Sequence, residues 1–120
     1  MGSRFTELTI DCADPERQAA FWAAVLGYQI VDRGEHGEVE IASTPRSLPT
    51  LVFVRVPEPK TVKNRVHIDL NPTGADQAQK LERLLSLGAR HVDVGQGQPS
   101  WWVLADPEGN EFCLLRTRLD

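Results

Sequence analysis

The sequence predicts an α+β fold: two tandem βαβββ modules, about residues 4–57 and 65–118, forming a cup-shaped mixed β-sheet with the helices outside. Three observations predict it. Period-two strand patterns alternate with period-3.6 helix patterns. The order strand, helix, three strands occurs twice. The second occurrence repeats the first about sixty residues on, with Glu7-Leu8-Thr9-Ile10 matching His67-Ile68-Asp69-Leu70 and Leu26-Gly27 matching Leu87-Gly88. At 120 residues, 41% of them hydrophobic, the chain is long enough for one core and short for two ordinary domains, so a single domain is expected over 1–120.

Residues 5–12 alternate, with Leu8, Ile10 and Cys12 on one face and Glu7, Thr9 and Asp11 on the other, as in a strand covered on one side. Asp14-Pro15-Glu16 then supplies an N-cap, a proline at the first helical position and an acidic first turn, and Gly27 suits a left-handed residue past the helix end. A helix of about three turns fits between them, and Phe21 and Trp22 inside it are core residues. Strand-like runs follow around 28–33, 38–43 and 50–56, separated by the turn-rich segments 34–37 and 44–49.

The second copy opens with an alternating segment at 65–71. A helix over 74–87 follows, with Ala78, Leu81, Leu84 and Leu85 on one face, and then strands near 89–94, 100–105 and 111–117. Residues 58–64, polar and proline-bearing, read as a semi-rigid linker. Four strands and one helix leave one face of each sheet uncovered, so a second module has to supply the missing wall, from the same chain or from a neighbour.

Charge and composition exclude several functions. Lys plus Arg number 13 against 17 Asp plus Glu, and the net charge of −4 repels phosphate backbones and anionic lipid alike, so neither nucleic acid nor membrane is expected as a partner. No stretch approaches the roughly 18 apolar residues of a membrane helix, and the N-terminus lacks the apolar segment of a signal peptide, which predicts a cytoplasmic protein. Cys12 and Cys113 are too few for a disulfide framework, lack CxxC spacing, and are expected on opposite faces of their sheets, so no bridge between them is expected. His36, in a glycine turn, and His91, on an outer strand, read as surface residues.

The last hairpin fixes a register. In Asp106-Pro107-Glu108-Gly109-Asn110, a type I turn with Gly109 left-handed pairs Asp106 with Asn110 and therefore Val103 with Cys113. Trp101, Val103, Glu111, Cys113 and Leu115 then face the cup, while Trp102, Leu104, Phe112 and Leu114 pack under the helices. A slip of one residue would exchange the two sets.

Asp14-Pro15-Glu16-Arg17 through Phe21-Trp22 to Val25-Leu26-Gly27, the strand Asn64-Arg65-Val66-His67-Ile68-Asp69, and Asp106-Pro107-Glu108-Gly109-Asn110-Glu111-Phe112 occur in this order on the duplicated frame. Together they resemble the glyoxalase-like branch of the vicinal oxygen chelate superfamily, also called the glyoxalase/bleomycin resistance/dioxygenase superfamily, over nearly the whole chain. The resemblance implies a small-molecule pocket and, in metal-using members, four ligand positions in the first and last strand of each module. By motif these fall on Glu7, Val54, His67 and Cys113. Glu7 and His67 suit a divalent ion, Val54 has no donor atom, and Cys113 stands where the pattern has Glu. A thiolate favours zinc over Mg, Mn or Fe. The ligand set is therefore degenerate, and the cofactor expected is none or a weakly bound divalent metal.

Two functions follow from this set. The first is a small-molecule binder whose pocket is lined by Glu7, Val54, His67, Trp101, Val103 and Cys113, with Trp101 as a stacking wall or a core residue. Here Glu7 and His67, if buried together, form a general acid and base. Asp69 orients the His67 ring or ends the polar rim, and Arg65 meets an anionic ligand or a rim carboxylate. The alternative is a metal-dependent lyase, isomerase or dioxygenase-like enzyme holding its ion through Glu7, His67 and Cys113. The superfamily includes both kinds, so the fold alone does not choose between them. An exposed sheet edge in a chain this small also predicts a homodimer.

Overall fold

The computed structural model describes residues 1–93 and 100–120, and the chain forms two units, Met1–Pro59 and Lys60–Asp120. Among the described residues no helix is long and apolar enough to cross a membrane. Both cysteines are free thiols.

The first unit contains β1 (Glu7–Cys12), α1 (Pro15–Leu26), β2 (Gln29–Arg33), β3 (Val39–Ala42) and β4 (Thr50–Arg55). Strands β2, β3 and β4 form an antiparallel meander, and β1 adds parallel to β4, giving the order β1-β4-β3-β2. The helix starts and stops where its sequence dictates. Asp14 Oδ1 accepts the Arg17 N–H at 3.1 Å, Pro15 begins the first turn, and Gly27 ends the helix at φ 70°, in the left-handed region that favours glycine. Its inner face buries Gln18, Ala19, Phe21 and Trp22. The Phe21 and Trp22 rings meet edge to face, with centroids 5.3 Å apart.

Helix α1 packs on β3 and β4, where Val39, Ile41 and Phe53 are fully buried. Because side chains alternate along each strand, the opposite face of this sheet carries Glu7, Thr9 and Asp11 from β1, Glu40 from β3, and Val52 and Val54 from β4.

The second unit repeats the topology with β5 (Asp69–Leu70), α2 (Gln77–Leu87), β6 (Arg90–His91), β7 (Trp102–Ala105) and β8 (Glu111–Leu114), in the order β5-β8-β7-β6. The hairpin register is the one the sequence predicts: Val103 pairs with Cys113, and Leu104 with Phe112. Gly109 lies at φ 90°, its N–H donates to the Asp106 carbonyl at 2.9 Å, and Asp106 N–H closes on the Asn110 carbonyl at 2.9 Å. The Asp106 carboxylate braces the turn from inside, accepting the N–H groups of Glu108 and Asn110.

Six sequence expectations change in this unit. The alternating segment at 65–71 yields a ladder only over Asp69–Leu70, because the chain bends at Arg65 and Val66 before the Ile68 carbonyl meets the Cys113 N–H at 2.9 Å. The last strand stops at Leu114, where Gln77 Nε2 takes the Leu114 carbonyl at 3.2 Å. The strand expected at 89–94 is Arg90–His91, and position 94 lies outside the described residues.

Helix α2 begins at Gln77 rather than 74, because Asp76 and Gln79 close a capping box: the Gln79 N–H donates to Asp76 Oδ1 at 2.9 Å, and the Asp76 N–H to Gln79 Oε1 at 3.1 Å. Its buried residue is Leu84, with Gln77 and Leu81 half-buried, while Ala78 and Leu85 are exposed. The inward stripe therefore runs 77, 81, 84, so Leu81 and Leu84 keep their expected places while Gln77 takes that of Ala78. Trp102 is not packed away either; it is exposed and meets His91 edge to face at 5.3 Å.

The capping box carries a prediction. Asp76→Ala should lower stability by about 1 kcal/mol and Asp76→Ser by a few tenths or less, since serine also caps an N-terminus. Chemical denaturation of the two variants checks it.

Candidate functional site

Three strands of the second unit set a row of side chains side by side. Parallel pairing of β5 with β8 places Asp69 next to Cys113, and the hairpin places Val103 on the other side of Cys113. All three lie on the face opposite Leu104, Phe112 and Leu114. His67, two residues before Asp69, brings its Nδ1 to 3.6 Å from Asp69 Oδ1. One donor atom from each of His67, Asp69 and Cys113 lies within 4.8 Å of the other two.

Their surroundings differ. Cys113 and Val103 are buried, whereas the side chains of His67 and Asp69 are 43% and 52% exposed. The group therefore has an apolar floor and an ionisable, water-facing side. Burial, followed by the charge and hydrogen bond of Asp69, pushes the Cys113 thiol up, and the Lys63 charge opposes this only partly. With nothing bound, the sulfur keeps its proton at neutral pH and is not a nucleophile.

Glu111, two residues before Cys113 on the same strand, is the other acidic group here. It is 7% exposed and accepts Lys60 Nζ at 2.7 Å and the Asn64 N–H at 3.1 and 3.2 Å to its two oxygens. Burial works against its charge, but the hydrogen bonds from Lys60 and Asn64 and the Lys60 charge outweigh it and hold the carboxyl below its ordinary range. Residues 60–64, which read as linker in the sequence, are thus tied to β8. The hairpin register puts Glu111 on this face, but nothing in the sequence pattern gives it a role. The available signal is a carboxylate at the head of the apolar run Phe112-Cys113-Leu114-Leu115, which needs a cation if it is buried with that run.

The other sequence candidates are distributed as follows. Trp101 sits one residue ahead of β7 and is 41% exposed. Arg65 is exposed at the bend before β5. In the first unit, Glu7 is exposed beside Thr50, and Val54 is half-buried beside Asp11, on the same sheet face as Glu7. That face also holds Glu40, unremarked in the sequence, whose Oε2 accepts Thr50 Oγ1 at 2.6 Å and Arg46 Nη2 at 3.2 Å.

Two four-stranded mixed sheets, each with one helix and the same strand order, define the fold class shared by the vicinal oxygen chelate proteins. Within that class the chain belongs to the glyoxalase-like domain family, whose family model matches residues 7–115. Solved structures agree on the fold. A variant of the genomically encoded fosfomycin resistance protein FosX from Listeria monocytogenes, complexed with Mn(II) and 1S,2S-dihydroxypropylphosphonic acid, matches with a TM-score of 0.70 at 14% identity, covering 96% of this chain and 90% of that one.

FosX from Mesorhizobium loti matches with a TM-score of 0.71 at 18% identity, covering 99% and 95%. A glyoxalase/bleomycin resistance protein/dioxygenase family enzyme from Burkholderia phytofirmans PsJN gives 0.66 at 18% identity, covering 93% and 97%. No curated protein matches the chain.

Proposed function

We propose that this chain is a small-molecule-binding glyoxalase-like protein with a degenerate metal site, and that its ligand is an aromatic or otherwise apolar molecule carrying a polar group. The observation that carries this reading is the row on the second unit's sheet: buried Val103 and Cys113 beside exposed, ionisable His67 and Asp69. An apolar floor with a few polar anchors is the composition of a small-molecule site. Trp101 is the stacking partner and Arg65 a rim cation. The Listeria FosX neighbour, held with a small phosphonic acid, supports small-molecule binding as the use of this fold.

In the same reading the two modules act as one cytoplasmic domain and pair as a homodimer. The partly exposed Ile30 and Val31 on edge strand β2 support the pairing. A second reading, a metal-dependent lyase or isomerase with His67 at its centre, is favoured by one observation, the close approach of His67, Asp69 and Cys113.

Tryptophan fluorescence tests the proposal. Titrating aromatic fragments that carry a hydroxyl or carboxyl should quench the wild type, and the quench should largely vanish in Trp101→Phe. Binding should weaken about tenfold in His67→Ala, the loss of one good hydrogen bond. Quenching that survives in Trp101→Phe and disappears in Trp102→Phe would move the site to the other face.

A further inference from the structure

The donors on the second module's sheet do not fit the ion held by the FosX neighbour. Mn(II) prefers hard oxygen donors, whereas the group here contains a buried sulfur. We propose that His67, Asp69 and Cys113 form a three-ligand centre for a borderline-soft divalent ion of the zinc class, contained wholly within the second module, with Asp69 as the third ligand. This rests on reading that sheet face as the binding face. Asp69 is not among the four positions the superfamily resemblance marks, and Val54, which is, has no donor to offer.

The backbone already makes the arrangement. Asp69 and Cys113 are direct partners in a parallel ladder, so their side chains leave the sheet side by side on one face, and His67, two residues ahead of that ladder, brings its ring to the same pair. Ligand atoms placed tetrahedrally around zinc sit roughly 3.3–3.8 Å from one another. His67 Nδ1 and Asp69 Oδ1 are at 3.6 Å, and the whole group lies within 4.8 Å, so closure needs side-chain movement of about 1 Å rather than a backbone change. One nitrogen, one carboxylate oxygen and one sulfur suit zinc, and three protein ligands leave a fourth position open. Since His67 and Asp69 are the exposed members, that position faces solvent, where water or a ligand oxygen can enter.

Equilibrium dialysis of the full chain against Zn(II) and Mn(II), with Co(II) absorption as the spectroscopic readout, tests the proposal. One zinc per chain is expected, bound at least about 100-fold tighter than Mn(II). Co(II) should give a thiolate charge-transfer band that is lost in Cys113→Ser. Asp69→Asn, an exposed and nearly isosteric change that keeps the fold, should weaken zinc at least tenfold, while Glu7→Gln should leave it within about twofold.

Mn(II) binding as tightly as zinc, a Co(II) complex without the thiolate band, or Glu7→Gln weakening zinc as much as Asp69→Asn would each overturn the proposal. Fragment quenching at Trp101 in metal-free protein keeps the two readings separable. Quenching without zinc binding sinks the centre and leaves the binder, and zinc binding without quenching does the reverse.

Discussion

Replacing Trp22 with alanine is expected to cost about 3–5 kcal/mol, the range for truncating a fully buried large aromatic. Trp22 is 2% exposed, its ring packs edge-on against Phe21, and the helix carrying it covers β3 and β4. A cavity there undermines the whole first unit. Trp102→Ala is the contrast: with Trp102 44% exposed and edge-on to His91, the loss should be about 1 kcal/mol. Denaturant melts of the two variants, followed by circular dichroism, give the comparison. Equal losses would mean that α1 is not the packing centre described here.

Glu111→Gln should cost about 2 kcal/mol, because it leaves the partly shielded Lys60 ammonium without its anion and replaces the charge-assisted bonds that the buried carboxylate accepts from Lys60 and Asn64 with weaker ones. The loss depends on pH. Since the folded carboxyl lies below its ordinary value, its ionisation stabilises the folded state above the unfolded-state pKa, and this contribution is lost as the pH falls through the folded one. The gap between wild type and Glu111→Gln should therefore be full at neutral pH and narrow as acid is added below about pH 4.5. Stability measured by urea melts from pH 7 to pH 3 checks both the size and the direction. A gap that widens in acid would contradict the Lys60 pairing.

Local signals in the sequence were strong wherever they were short-range. The caps of α1, the turn at Asp106-Pro107-Glu108-Gly109-Asn110 and the pairing of Val103 with Cys113 all follow from residues within a few positions of one another. The duplication was legible because matched strands and glycines recur at one spacing, and both units have the same strand order.

Long-range consequences were less legible. That β5 lies parallel to β8, and so puts Asp69 next to Cys113, depends on a crossover of more than forty residues that no local pattern encodes. The docking of residues 60–64 on Glu111 likewise joins partners 47 positions apart. Helix α2 shows the opposite error. Its apolar spacing suggested Ala78 and Leu85 on the inner face, but Gln77 takes the inward place through its bonds to the Ser100 and Leu114 carbonyls, a polar solution that a hydrophobic pattern does not register.

The proposed binding face is the side of the second sheet that bears His67, Asp69, Val103 and Cys113. The most direct measurement is methyl and imidazole NMR of the full chain during titration with a quenching fragment, because Val103 and Leu104 are sequence neighbours on opposite faces of one strand. Shifts are expected in the Val103 methyls and the His67 ring, with the Leu104 and Leu114 methyls unmoved. Shifts confined to Leu104, Leu114 and Trp102 would put the ligand on the opposite face and overturn the proposal.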